Sequence, residues 1–266
     1  MENQPVLKST LAKHYLKYCQ LKSKAIETGR LNLSKIKFFF PTLLLPLGIF
    51  SRENSHIEVI PPSNDNAASY YDLILNGRVE DFQQSYLPIR EVPKDDEKKK
   101  FLRKFPIAFE KLCGGKNAVR YLLWELIDNI YQHSGFSSAF IMFQRYPLKG
   151  FTELCIIDNG ISIPKSYELK KHRLNTDFEA FQLALEGIST KSDRERGQGF
   201  CSSLEILRKG LSATCFIASR GAALVADEKT LDICSIGKLN IYQGTIISTR
   251  IPETSKKVNI YDHLEL

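Results

Sequence analysis

Glu125 and Asn129 lie one helical turn apart, so on a helix a carboxylate and an amide oxygen face the same point in space. Val119, Leu123, Leu126, Ile127 and Ile130 fall on the opposite side of that wheel, and Asp128, Gln132 and His133 join the polar row, which predicts an amphipathic helix over residues 117–134. Next, Phe151 to Ile157 reads as a buried strand that exits at Asp158-Asn159-Gly160. Further on, Gly197-Gln198-Gly199 leads into a helical pattern over 200–208. Glycine-rich backbone entering a helix N-terminus offers unpaired N–H groups and a positive dipole end to a phosphate. Lys191, Arg194 and Arg196 stand just before it as a source of positive charge. Finally, Gly244-Thr245 opens a strand that ends in Pro252. Each piece alone has a plain reading: a solvent-facing helix, a turn after a strand, a good β residue. Their order and spacing are what make them a set.

The four segments are ELIDNIYQH (125–133), DNGISIP (158–164), GQGF (197–200) and GTIISTRIP (244–252). Together they resemble the four nucleotide-contacting boxes of the GHKL ATPases, the superfamily of gyrase, Hsp90 chaperones, histidine kinases and MutL-type repair proteins. The resemblance implies an α/β fold of the Bergerat type, a sandwich with a mixed sheet covered on one face by helices at 117–134, 177–187 and 200–209. It implies ATP and Mg²⁺ as ligands, with Asn129 coordinating the metal between the phosphates and Glu125 as the catalytic residue that orients or deprotonates water. Mg²⁺ takes oxygen ligands and keeps waters and phosphate oxygens, so one amide from the protein is chemically sufficient. By the same resemblance Asp158 accepts a hydrogen bond from the adenine amino group, and Gly160 brings the backbone close to the base. Lys191, Gly197 and Gly199 contact the phosphates, and Thr245 bonds to the adenine or to a water shared with Asp158. His133 reads either as a phosphate neighbour or as a helix-terminal ring stacked on its surroundings. Ser162 departs from the pattern, standing where a second glycine is common. A Walker-type phosphate loop does not occur in the chain, so nucleotide binding rests on the Bergerat pattern.

Retention of Glu125 favours slow ATP hydrolysis, or transfer of the γ-phosphate to a Ser or Thr of a partner protein as in anti-sigma-factor kinases. The alternative is a nucleotide-gated module that offers a changed surface to a protein or nucleic acid with little turnover. A domain that no longer binds nucleotide is a third reading, with Ser162 its one hint. Autophosphorylation of the sensor-kinase kind is not expected, because none of His14, His56, His172 and His263 is followed by Glu or Asp. Topoisomerase and mismatch-repair activities are not expected either, since no transducer segment follows box four before Leu266.

The elements that position these groups are set in a chain of 266 residues, enough for one large or two modest domains. No apolar run approaches the roughly 20 residues that cross a bilayer; the richest, Phe38 to Phe50, is broken by Pro41 and Pro46. Met1 to Leu11 shows no signal-peptide block, so a cytoplasmic, membrane-free protein is expected. The six cysteines are scattered without metal-ligand spacing and read as reduced core residues. The formal charge of +7 is concentrated in the first forty residues. That charge is either a footprint for nucleic acid or a lysine-rich solvated helix face, and the lack of interleaved arginines and aromatics favours the second.

Periodicity places a helix at 8–28, a buried strand at Lys35 to Phe40, a helix at Thr42 to Phe50, a strand at His56 to Ile60 and a helix at Asn66 to Leu75. This β-α-β-α unit resembles a STAS-like domain. Thr42 then stands near the place of that family's phosphoacceptor serine, although the Asp-Ser-Ser-Gly signature is absent; the simpler reading is a helix N-cap. The expected organisation is therefore a small unit over 1–93, a charged linker over 94–104, the nucleotide-binding domain over 105–256 and a tail over 257–266. Association of two chains through the first unit is left open. Leu239 to Tyr242 and Thr245 to Ile251 are expected to pair as a hairpin across Gln243-Gly244.

Overall fold

Residues 154–157 (LCII) are apolar at successive positions, so the strand they form has two faces to bury. The computed structural model describes residues 8–76, 86–94, 101, 113–188, 190, 199–254 and 257–263. Helix α1 (Thr10–Thr28), strand β1 (Arg30–Asn32), helix α2 (Pro41–Glu53), strand β2 (Glu58–Ile60) and helix α3 (Asp65–Asn76) come first. Then follow β3 (Tyr86–Glu91), α4 (Lys116–Asn129), β4 (Ala139–Tyr146), β5 (Phe151–Asp158), α5 (Ile163–Leu169) and α6 (Asp177–Leu185). The chain continues with α7 (Gly199–Glu205), β6 (Thr214–Arg220), β7 (Ala222–Ala226), β8 (Leu231–Ser235) and β9 (Tyr242–Pro252). Strands β3 to β9 form one seven-stranded sheet in the order β3-β4-β5-β9-β6-β7-β8, and β1 pairs with β2 in parallel.

The architecture is α/β, as expected, but the large sheet is not mixed. Every pairing in it is antiparallel. Nor are helices confined to one face. Leu154 and Ile156 of β5 join a core with α4 and α7, whereas Cys155 and Ile157 join a core with α1 and α2. The alternation of a pleated strand sends these neighbours to opposite faces, and both need cover. No helix among the described residues is long and apolar enough to cross a membrane.

Local chemistry explains most element ends. Helix α1 starts where the Ser9 side chain accepts a hydrogen bond from Ala12 N, 3.3 Å away, and stops at Gly29 in the left-handed conformation. Residues 35–40 do not form the expected strand. They run without a β ladder to the first turn of α2, and the strand instead occupies Arg30–Asn32, where β2 supplies a partner. The expected hairpin at 239–251 is also replaced: Lys238–Asn240 form a 3₁₀ turn, and Gln243-Gly244 lie inside the single strand β9. A Cβ on Gly244 would sit 1.9 Å from the Asp158 carbonyl oxygen, so this glycine permits close strand approach rather than a turn. Ahead of the charged run at 94–104, β3 is hydrogen-bonded to β4, so the first hundred residues contribute a strand to the large sheet as well as α1, α2 and α3 to the core on one of its faces.

Thr42 is not the N-cap of α2. That position is Phe40, whose side chain gives no cap, and the helix start is served from the sheet. The carboxylate of Glu153, fully buried on β5, accepts hydrogen bonds from Thr42 N at 3.1 Å and from Thr42 Oγ1 at 2.7 Å. Its other oxygen accepts from Arg250 of β9 at 2.7 and 3.2 Å. The Arg250 guanidinium lies 4.1 Å from the centre of the Phe151 ring and 5.0 Å from that of Phe40, on which His14 stacks. A charged acceptor at a helix N-terminus is favourable, and the pairing also neutralises Arg250. Glu153→Ala leaves the arginine without its carboxylate and uncaps α2, a loss of about 3–5 kcal/mol. Thr42→Val, which removes one hydroxyl bond, costs about 1–2 kcal/mol. Urea unfolding followed by circular dichroism measures both, and equal small losses for the two variants would refute this account.

Candidate functional site

Helix α4 buries Val119, Leu122, Leu123, Leu126 and Ile127 and continues into a wider π turn over Ile130–Ser134 that ends at Gly135 in the left-handed conformation. Such turns recur at functional sites because the extra residue re-aims the side chains around it. Here the turn carries His133 and Ser134 to the end of β5. Ile161 N donates to the Ser134 carbonyl at 2.6 Å, and a Cβ on Gly160 would stand 2.2 Å from that same oxygen. Gly160 is thus required by the approach of the strand exit to the helix end. Asn159 pins the intervening loop, its Oδ1 accepting from Ser137 N and Ser138 N at 3.0 and 2.8 Å.

Between α4, α5, α6, α7 and the sheet lies a cleft of about 1050 Å³, open solvent at its mouth included. Asn129, His133, Asp158, Gly199 and Thr245, all chosen from sequence, line it together with the apolar Leu126, Ile163, Phe200 and Ile247. Glu125 stands beside it, since a Cβ on Gly199 would come within 2.5 Å of its Oε2. Gly160 supports the wall from behind. Lys191 and Gly197, with Arg194 and Arg196, lie outside the described residues. His133 is resolved toward a polar contact: its Nδ1 is 2.9 Å from Thr190 Oγ1, which ties the chain after α6 to the end of α4.

At the sheet end of the cleft, Asp158 of β5 faces Thr245 of β9, which in turn faces Ser219 of β6. The Ser219 hydroxyl is within hydrogen-bond reach of Gly244 O at 2.9 Å and Thr245 Oγ1 at 3.1 Å, and it accepts from Ile163 N at 2.8 Å. Ser219 was not legible from sequence, because its value comes only from lying next to Thr245 across the ladder. Ser162 has a definite role as the N-cap of α5, accepting from Lys165 N at 3.2 Å with φ −71°, so a side chain fits here without strain. Ser203 is 2% exposed and lines the cleft, yet its hydroxyl has no hydrogen-bond partner among the described residues. An orphaned buried hydroxyl of this kind suits a bound polar ligand. Among the described residues no cluster of three His, Cys, Asp or Glu side chains forms a metal site.

Burial pushes the Asp158 carboxyl up to about 7, against hydrogen bonds that favour its charged form, the first of them from Gly160 N at 2.9 Å. The native state therefore holds a proton between about pH 4 and 7 that the unfolded chain has released, and stability falls as pH rises through that window. Above it the loss is complete and amounts to something on the order of 4 kcal/mol. Asp158→Asn, neutral at every pH, is expected to flatten this part of the pH–stability curve and to melt higher than the unmodified chain at pH 8. Thermal melts from pH 4 to 8 measure it; parallel curves for the two proteins would exclude a raised Asp158.

Comparison with protein-family models, with curated proteins and with solved structures found no match to this chain.

Proposed function

We propose that the chain is an ATP-binding protein of the GHKL type that takes Mg-ATP in this cleft and either hydrolyses it slowly or passes the γ-phosphate to a Ser or Thr of a partner. The observation that carries the reading is convergence: five residues chosen from four separated segments for contact with one ligand line one cleft. Its shape is in keeping, with apolar walls for a flat base, a buried acceptor at the closed end and polar groups toward α7.

The residues present fit the ligand. In this reading Asp158 accepts from the exocyclic amino group of adenine, which selects against guanine, whose carbonyl oxygen at that place repels a carboxylate. Thr245, oriented by Ser219, supports that edge, and the unpartnered Ser203 hydroxyl gains a polar partner from the nucleoside. Asn129 would contribute one amide oxygen to Mg²⁺ arriving with the phosphates. The metal supplies charge neutralisation at the phosphates. Glu125, one turn before Asn129 and against Gly199, orients the attacking water or the acceptor hydroxyl and takes its proton.

Calorimetric titration of Mg-ATP, with phosphate release followed on the same samples, tests this. The unmodified chain is expected to bind at micromolar levels, Asp158→Asn to weaken binding at least tenfold, and Glu125→Ala to retain binding while losing release by about 10²-fold or more. Binding without release in the unmodified chain moves the reading to a nucleotide-gated module or a kinase awaiting its acceptor, and no binding up to millimolar ATP ends it. A pH series adds a second check. Because the amino group favours the ionised carboxylate, affinity is expected to hold above pH 7 and to weaken by up to about tenfold per unit below it.

A further inference from the structure

Behind the cleft just described, on the other face of the sheet, a second one opens between α1, α2 and the 3₁₀ turn that precedes β9. It measures about 1220 Å³, open solvent at its mouth included, and Asp158 alone lines both. Its floor is apolar, made by Pro46, Ile49 and Phe50 of α2 with Phe140 and Ile157 of the sheet. The wall is held in place from α1, since the Tyr15 hydroxyl donates to Asn240 O at 2.6 Å.

Two features of this cleft are unexplained by packing. Tyr18 is 5% exposed and lines it, and Tyr242 enters it from β9, yet neither phenol hydroxyl has a hydrogen-bond partner among the described residues. Neither oxygen is sealed from solvent, so both are open to a ligand's acceptor atoms. The second feature is charge. Lys22 and Lys238 sit on opposite walls, one from α1 and one from the 3₁₀ turn, and neither has a carboxylate within ion-pair distance among the described residues. Lys22 Nζ lies over the Tyr18 ring, 6.0 Å from its centre. The one carboxylate on the rim, Glu53, is exposed at the end of α2.

We propose that this cleft is a second small-molecule site, for an amphipathic organic acid: an apolar or aromatic body on the Phe50–Phe140 floor, acceptor oxygens for the Tyr18 and Tyr242 hydroxyls, and the anionic group between Lys22 and Lys238. An anion is favoured over a cation because the acceptors it brings satisfy both phenols, and two ammonium groups outweigh the Glu53 carboxylate, the side chain of Asp158 being turned to the first cleft. A neutral hydrocarbon leaves the phenols unpaired. The ligand lies back to back with the first cleft, against the backbone where Gly244 and Asp158 meet.

The test uses 1-anilinonaphthalene-8-sulfonate, an aromatic body with one anionic group, titrated into the full chain without nucleotide and read by fluorescence. One equivalent is expected to bind. The double variant Lys22→Glu/Lys238→Glu, which alters only partly and fully exposed side chains, is expected to weaken it at least tenfold, and Tyr18→Phe, which removes a hydroxyl and nothing else, three- to tenfold. Asn129→Ala, in the first cleft, is expected to leave binding within twofold. No saturable binding up to millimolar dye, or binding that the charge reversal leaves unchanged and Asn129→Ala weakens, overturns the proposal. Circular dichroism and melting of each variant exclude loss of fold as the cause. Because no step needs ATP, the result is independent of what the first cleft binds.

Discussion

The eight-residue antiparallel pairing of β5 with β9 carries everything else. At its open end Asp158 faces Thr245, and five residues back Glu153 faces Arg250. Those two pairs point to opposite faces of the sheet, because five steps along a strand reverse the side-chain direction. One register therefore sets the polar end of the first cleft on one side and the buried ion pair that seats α2 on the other. A slip of one residue would exchange them, putting Glu153 among the apolar residues under α4 and Asp158 under α2, each without its partners. The close approach at Gly244 reinforces this register, since any side chain there meets the carbonyl of Asp158.

Having two buried faces explains how the first hundred residues relate to the rest. Helix α2 is apolar around its whole circumference and cannot stand at a surface; it lies between α1 and the sheet, with Glu153 as its cap. That arrangement needs no strand at residues 35–40, whose aromatic side chains instead form a cluster with Tyr146 and Phe151. It also leaves the space between α1, α2 and β9 that forms the second cleft. The two clefts and the ion pair are in this sense consequences of the same layering.

Around the first cleft, groups of different origin have been drawn to one point by backbone devices rather than by side-chain attraction. The π turn at the end of α4 moves His133 and Ser134 toward the strand exit, and Gly160 allows the exit to close against it. Asn159 holds the loop between them. The cost is borne by Asp158, a carboxylate kept out of water with few compensating donors, which is why its proton affinity rises. A site that keeps a group strained toward neutrality is one that gains when a suitable donor arrives.

Much of this was present in the residues themselves. Helical periodicity located α1, α4, α6 and α7 within a few residues, the strand pattern at 151–157 located β5, and the spacing of Glu125 and Asn129 put both at the first cleft. These features are local: a helix face or a strand exit depends on neighbours a turn or two away. What the residues could not convey was non-local. Whether the sheet is mixed or antiparallel, whether one face or two is covered, and that Ser219, Ser203 and Glu153 matter at all depend on which segments meet across the ladder. The same holds for Gly244, which reads as a turn residue in isolation and becomes a strand contact only because β5 lies beside it. Sequence determined the elements and the chemical groups that they present, since these follow from periodicity and residue type. Tertiary structure alone decided partners, faces and burial, because those are set by packing between residues far apart in the chain, up to 225 positions for Tyr15 and Asn240.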